Sequence, residues 1–210
     1  MDLNLWLAFC VTAFLLALAP GPDIIFVVMY SAMHGARSGI SVACGLCTGL
    51  IFHTCLAAFG IAALIAASPK ILLAIKTAGA LYLTYLAWCA WIAKVQEGSS
   101  GEVKTPALSG WALWRRGCIM NISNPKVLVF FLAFLSQFLT SGSGSFPVFA
   151  QMILLGLTFM AVTFVTFSAM ACLAGSVADA VRTPKVQRVM NKVCAVIFVG
   201  IALGLVLTEV

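Results

Sequence analysis

Two charged side chains stand where a chain this apolar has little reason to carry them. Asp23 follows Ala19-Pro20-Gly21-Pro22, and Lys126 follows Asn121-Ile122-Ser123-Asn124-Pro125. Each proline removes an amide donor and clashes with the preceding turn, so a helix running through either stretch must open. In a bilayer, opened backbone is tolerated only where protein or a cavity covers it, and an ionisable group there marks a pathway. A carboxylate and an ammonium at paired breaks match the two ends of a zwitterion. Asp23 would receive an ammonium, while Lys126 and the half-helix N-termini would receive a carboxylate. Asn121 and Asn124 can orient such a guest by hydrogen bonds, and Pro20, Gly21, Pro22 and Pro125 shape the openings around it. Two plainer readings compete. Asp23 and Lys126 can pair with each other, and Asp23, directly after Pro22, can serve as the acid of its own first turn.

His53 is the other candidate for proton chemistry. It ends a ridge of Ser41, Gly45, Gly49 and His53 at four-residue steps, which places it on a helix face that approaches a neighbour closely. A buried histidine bonded to a backbone carbonyl is the bland expectation. A proton carrier, alongside Asp23, is the sharper one.

These residues must be positioned by membrane helices. Of 210 residues, 63% are hydrophobic and only 9% charged, and a spanning helix needs about 20 apolar residues. Six such runs are present: Leu3 to Met33 with the first break inside it, Ser38 to Ala67, Ile71 to Ala93, Arg115 to Thr140 with the second break, Phe146 to Gly175, and Val189 to Thr208. Too little chain remains for a soluble domain, so residues 1–210 read as one all-α integral membrane domain. The N-terminal run has no Lys or Arg before Arg37, so it reads as a first helix rather than a leader with a basic start.

The net charge of +6 is topological. Arg37, then Lys94, Lys104, Arg115 and Arg116, then Arg182, Lys185, Arg188 and Lys192 fall in alternate connections, while the others hold only Lys70 and, just inside helix three, Lys76. By the positive-inside rule both termini are expected on the periplasmic side. No basic run is interleaved with aromatics on a soluble face, so no nucleic-acid partner is expected.

Eight cysteines fall almost entirely within the apolar runs. Cys44 and Cys47 form a CxxC pair, but His53 lies about 180° around the helix from Cys44. We therefore expect packing cysteines, and no metal or cofactor. A thiol relay of similar architecture needs cysteines at the breaks, whereas Cys10 and Cys118 stand well before Pro22 and Pro125. The two histidines, His34 and His53, differ in depth, and no nucleophile motif or paired carboxylates occur, so enzymatic activity is not expected.

Residues 95–113, with Gly98-Ser99-Ser100-Gly101 and Pro106, read as a cytoplasmic linker between repeat A (1–94) and repeat B (114–210). Pro22-Asp23-Ile24 parallels Pro125-Lys126-Val127, and Lys76 parallels Lys192. With three spans per half, the second half must be inverted, an arrangement recurrent among secondary transporters. Asp23 lies 11 residues from His34 and Lys126 lies 11 from Arg115, so both charges fall about 16 Å from the cytoplasmic boundary, roughly mid-bilayer. Small-residue ridges on the second and sixth helices, the latter with Gly200 and Gly204, favour a homodimer.

Leu18-Ala19-Pro20-Gly21-Pro22-Asp23 together with Asn124-Pro125-Lys126, Phe130-Phe131-Leu132-Ala133-Phe134-Leu135 and Gln137-Phe138 resemble the motifs of the LysE/RhtB group of amino-acid exporters. Ser136 departs from the family pattern, which usually has proline there. The resemblance implies a proton-driven exporter of amino acids or related metabolites in a bacterial inner membrane. A small-ion exporter of the same architecture is the alternative.

Overall fold

The computed structural model describes residues 3–19, 21–67, 69–93, 107–139, 146–176 and 183–207. At 61–67, 69–72, 75–76, 129, 132–133 and 136 the description covers the backbone alone. The expectations for Pro20, for most of the linker with Lys94 and Lys104, for Arg182 and for the side chains of Lys70, Lys76 and Ser136 lie outside the described residues.

Among the described residues the chain is helical throughout, without strands. The helices are α1 (Leu3–Leu18), α2 (Pro22–His34), α3 (Ala36–Ala67), α4 (Pro69–Ile92), α5 (Gly110–Ile122), α6 (Pro125–Phe134), α7 (Val148–Cys172) and α8 (Pro184–Leu207), with a 3-10 turn at Leu135–Phe138 after α6. Both expected breaks are present, each ahead of a proline at the first helical position, where its missing amide is harmless. The axes of α1 and α2 meet at 61°.

Among the described residues, three stretches are long and apolar enough to cross a membrane: Ala36–Gly60, Val148–Cys172 and Pro184–Leu207. A fourth is added if α1 and α2 form one bent span. That is fewer than the six spans expected. α4 runs for 24 residues, and Thr77–Ile92 is the apolar run described in it. α5, with 13 residues, and α6, with 10, are each too short to cross alone. α5 also begins earlier than the expected linker boundary, because Ser109 caps it by accepting from the Ala112 amide at 3.3 Å. At the other end, Pro184 starts α8 five residues ahead of the expected Val189.

The two halves do not pack as separate three-helix groups. α3 packs chiefly on α5 and α7, α4 on α8, and α1 on α7, so each half is built into the other. α3 and α5 approach closely. A Cβ on Gly45 would strike the Trp114 carbonyl, and one on Gly117 would strike the Val42 carbonyl, so only glycine lets these backbones meet. The Trp114 indole N–H donates to Thr48 Oγ1 across this seam at 3.1 Å, and Trp6 donates to Thr158 Oγ1 across the α1–α7 seam at 3.1 Å.

The ridge on α3 is thus spent inside the chain. Gly45 meets Trp114, Gly49 meets Asn121, and His53 bonds the Asn121 carbonyl, all on α5. This removes one of the two grounds for a homodimer. On α8 nothing lies within 4 Å of a Cβ built at Gly200, whereas one at Gly204 would be 3.1 Å from Gln137 Oε1. Large apolar side chains such as Phe59, Leu81, Val165 and Val206 are more than 60% exposed, which in water would be an adhesive surface and in hydrocarbon is the expected one.

The core has two parts. One gathers Phe9, Phe130, Phe131, Phe134, Phe138, Phe159 and Phe198. The other gathers Ile24, Val27, Val28, Tyr30, Leu46, Leu113 and Phe167. A cavity lies between them, lined by members of both.

Candidate functional site

Both breaks open onto this cavity. Gly21, Asp23, Asn121, Asn124 and Lys126 line it together with Thr163 and rings from α6, α7 and α8. Its volume is about 50 Å³, room for a few water molecules.

Asn124 ties the two breaks together. It is the N-cap of α6, with Oδ1 accepting from the Lys126 amide at 3.1 Å, while Nδ2 donates to Asp23 Oδ2 at 3.0 Å. Asp23 is therefore held from across the site, and it also stands as the acid in the first turn of α2. Its other oxygen, Oδ1, is buried and has no hydrogen-bond partner among the described residues. A buried carboxylate needs several hydrogen bonds to remain charged, so one idle oxygen is an invitation to a donor.

Lys126 crosses in the opposite direction. Its Nζ would lie 3.4 Å from a Cβ built on Gly21, at the mouth of α2, and 5.3 Å from the Phe198 ring centroid. Among the described residues no lysine or arginine nitrogen lies within 4.0 Å of a carboxylate oxygen, so Asp23 and Lys126 share a cavity without forming the direct pair considered from sequence. Gly21 has no side chain to cap α2. An ammonium therefore faces an uncapped helix N-terminus, two positive features that together favour an anion.

The two half-helices differ here. At α6 the Lys126 amide is taken by Asn124 Oδ1, and the Val127 amide bonds the Asn124 carbonyl at 3.1 Å. The expectation that both N-termini offer free amides holds at most for α2, because asparagine caps the second break and glycine the first.

Asn121 is buried at the end of α5. Its carbonyl accepts from the Asn124 amide at 3.0 Å and from His53 Nε2 at 3.0 Å. A carbonyl only accepts, so Nε2 carries a proton, and Nδ1 is left buried without a partner. His53 packs against Phe131 at 5.9 Å between centroids and is absent from the cavity lining. The bland expectation for this residue is the arrangement observed. Asn121 Oδ1 is turned to Gly49, where a Cβ would lie 2.8 Å away, and it too has no hydrogen-bond partner.

Sequence reasoning missed Thr163 on α7 and the Phe159, Phe167 and Phe198 walls. Phe159, Thr163 and Phe167 recur at four-residue spacing, one face of a helix, but nothing in the sequence says which face of an all-apolar helix looks inward. The eight cysteines are free thiols, and among the described residues no three His, Cys, Asp or Glu side chains gather.

With the geometry in place, the comparisons with known proteins are consistent. The chain is 32% identical over 202 residues to a Salmonella typhimurium protein named homoserine/homoserine lactone efflux protein, covering 94% of each chain. A Salmonella typhi protein of the same name is 31% identical, again with 94% of each covered. A Vibrio cholerae protein described as an uncharacterized membrane protein is 30% identical over 200 residues, 95% of each. No solved structure matches. The family model described as LysE type translocator matches residues 14–209, and the chain belongs to that family of membrane translocators.

Proposed function

We propose that the protein exports a zwitterionic amino acid or close derivative across the bacterial inner membrane. The guest's ammonium is held at Asp23 Oδ1 and its carboxylate between Lys126 Nζ and the mouth of α2. The observation that carries this reading is the crossing of the two breaks in one cavity, with an idle acceptor on Asp23 and an unpaired ammonium facing uncapped Gly21. Among the described residues neither group finds its counter-charge at contact distance, and one zwitterion supplies both. Homoserine is the first solute to try, given the names of two relatives.

Six spans in two inverted repeats, with both termini periplasmic, remain the topology we favour. The pairing of α3 with α7 and of α4 with α8 supports it, as do the parallel Trp–Thr bonds that seat α5 on α3 and α1 on α7. The two apolar clusters then lie on opposite sides of the site. Alternating access requires one of them to part while the other stays closed. Asp23 is the proton-coupling group in this scheme, because it lines the cavity and His53 does not. A guest and a proton compete for its carboxylate, which makes the protein an antiporter.

The test is counterflow of radiolabelled homoserine and neutral amino acids in proteoliposomes, comparing wild type with Asp23→Asn and Lys126→Met. Loss of at least tenfold in uptake by each variant is expected. Wild-type rates in both variants, or no flux of any amino acid by the wild type, end the reading.

A further inference from the structure

We propose that Thr163 contacts the guest, its hydroxyl being the second acceptor for the ammonium beside Asp23 Oδ1. This rests on the zwitterion reading above. Helical threonines have a ready partner in the carbonyl one turn back, and this chain uses it repeatedly. Thr158 and Thr166, on the same helix, donate to the Leu154 and Val162 carbonyls at 2.8 and 2.7 Å. Thr48, Thr54 and Thr84 do the same in α3 and α4 at 2.8–2.9 Å. Thr163 does not. Its Oγ1 is buried, the residue is 5% exposed, and the hydroxyl has no hydrogen-bond partner among the described residues.

A buried hydroxyl without a partner is uncommon in native structures, and this one lines the cavity that holds Asp23 and Lys126. Its neighbours along the same face, Phe159 and Phe167, are apolar rings that also line the cavity. Among the described lining residues of α7, Thr163 is thus the one polar point. An ammonium brings three donors, and Asp23 Oδ1 satisfies one of them. Asn121 Oδ1, the other idle oxygen nearby, is turned to Gly49 on α3. The carboxylate end of the guest is already served by Lys126 at Gly21. This leaves the ammonium as the part of the guest that Thr163 completes.

The experiment measures binding to purified protein by calorimetry for homoserine, its carboxamide and its deaminated analogue 4-hydroxybutyrate. Wild type is compared with Thr163→Val, which keeps the shape, and Thr163→Ser, which keeps the hydroxyl. Thr163→Val is expected to weaken the amino acid and the carboxamide by about tenfold to a hundredfold, the usual loss for a hydrogen bond to a charged group. The deaminated analogue should bind both proteins within about twofold, and Thr163→Ser should stay within about threefold of wild type, both small against that loss. Equal binding by Thr163→Val overturns the proposal. So does an equal loss for the deaminated analogue, which would move the contact to the carboxylate, or a serine variant as weak as valine, which would make the effect one of shape. Wild-type protein that binds no zwitterion refutes the site as a whole, whereas normal wild-type binding with an indifferent Thr163→Val refutes this contact alone.

Discussion

Replacing Asn124 separates two jobs that one side chain performs. Its Oδ1 caps α6 at the Lys126 amide, and its Nδ2 holds Asp23 Oδ2 at 3.0 Å. Loss of an N-cap costs about 1 kcal/mol, and loss of a hydrogen bond to a charged acceptor about 1.5–3 kcal/mol. Asn124→Ala should therefore destabilise the protein by about 2.5–4 kcal/mol if both losses are felt in full. Asn124→Ser keeps a good cap but is too short to reach Asp23, so it should lose only the second amount. Asn124→Asp also keeps the cap yet sets two carboxylates about 3 Å apart, which forces one of them to hold a proton. The assay is unfolding in detergent, combined with a double-mutant cycle of Asn124→Ser and Asp23→Ala. A coupling of about 1.5 kcal/mol or more is expected, since each substitution removes the same bond. Coupling below about 0.5 kcal/mol, within the additivity of independent sites, would show that the strap between the breaks carries no energy and that Asp23 is oriented by something else.

Two further outcomes follow from the packing. Gly45→Val drives methyl groups into the Trp114 carbonyl and should destabilise by at least about 1–3 kcal/mol, whereas Gly200→Ala, with nothing within 4 Å, should stay within about 0.5 kcal/mol of wild type; equal effects in thermal unfolding would contradict the α3–α5 seam. His53→Phe removes a donor from the Asn121 carbonyl, which still keeps the Asn124 amide, so the loss should be near 1 kcal/mol and gradient-driven export should persist. Export lost with counterflow intact would instead make His53 the proton carrier.

What could be read early was local chemistry. Pro22 and Pro125 open a helix wherever they stand, and both breaks appear where the prolines put them. The Ser41–His53 ridge also had only one close-packing face to offer, and the structure uses it. Its partner was misjudged. A stripe of small residues states that a backbone will come near without naming whose, and α5 of the same chain takes the place assigned to a second copy. Asn124 was read as a hand for the guest, but its reach to Asp23 depends on a contact between residues 101 positions apart. Thr163 gave no sign, because one hydroxyl in an apolar helix looks like its back-bonded neighbours Thr158 and Thr166 until the cavity is seen.

By itself, then, the order of residues determined a membrane-embedded helical chain with two proline-opened segments, each followed by a charge, because hydropathy and backbone sterics act within a few turns. Only the tertiary structure decided that the halves interlock, that Asn124 bridges the openings, and that Asp23 and Lys126 face one cavity without touching. Those are matters of which helix meets which, and they are set by glycine-permitted contacts between segments far apart in sequence.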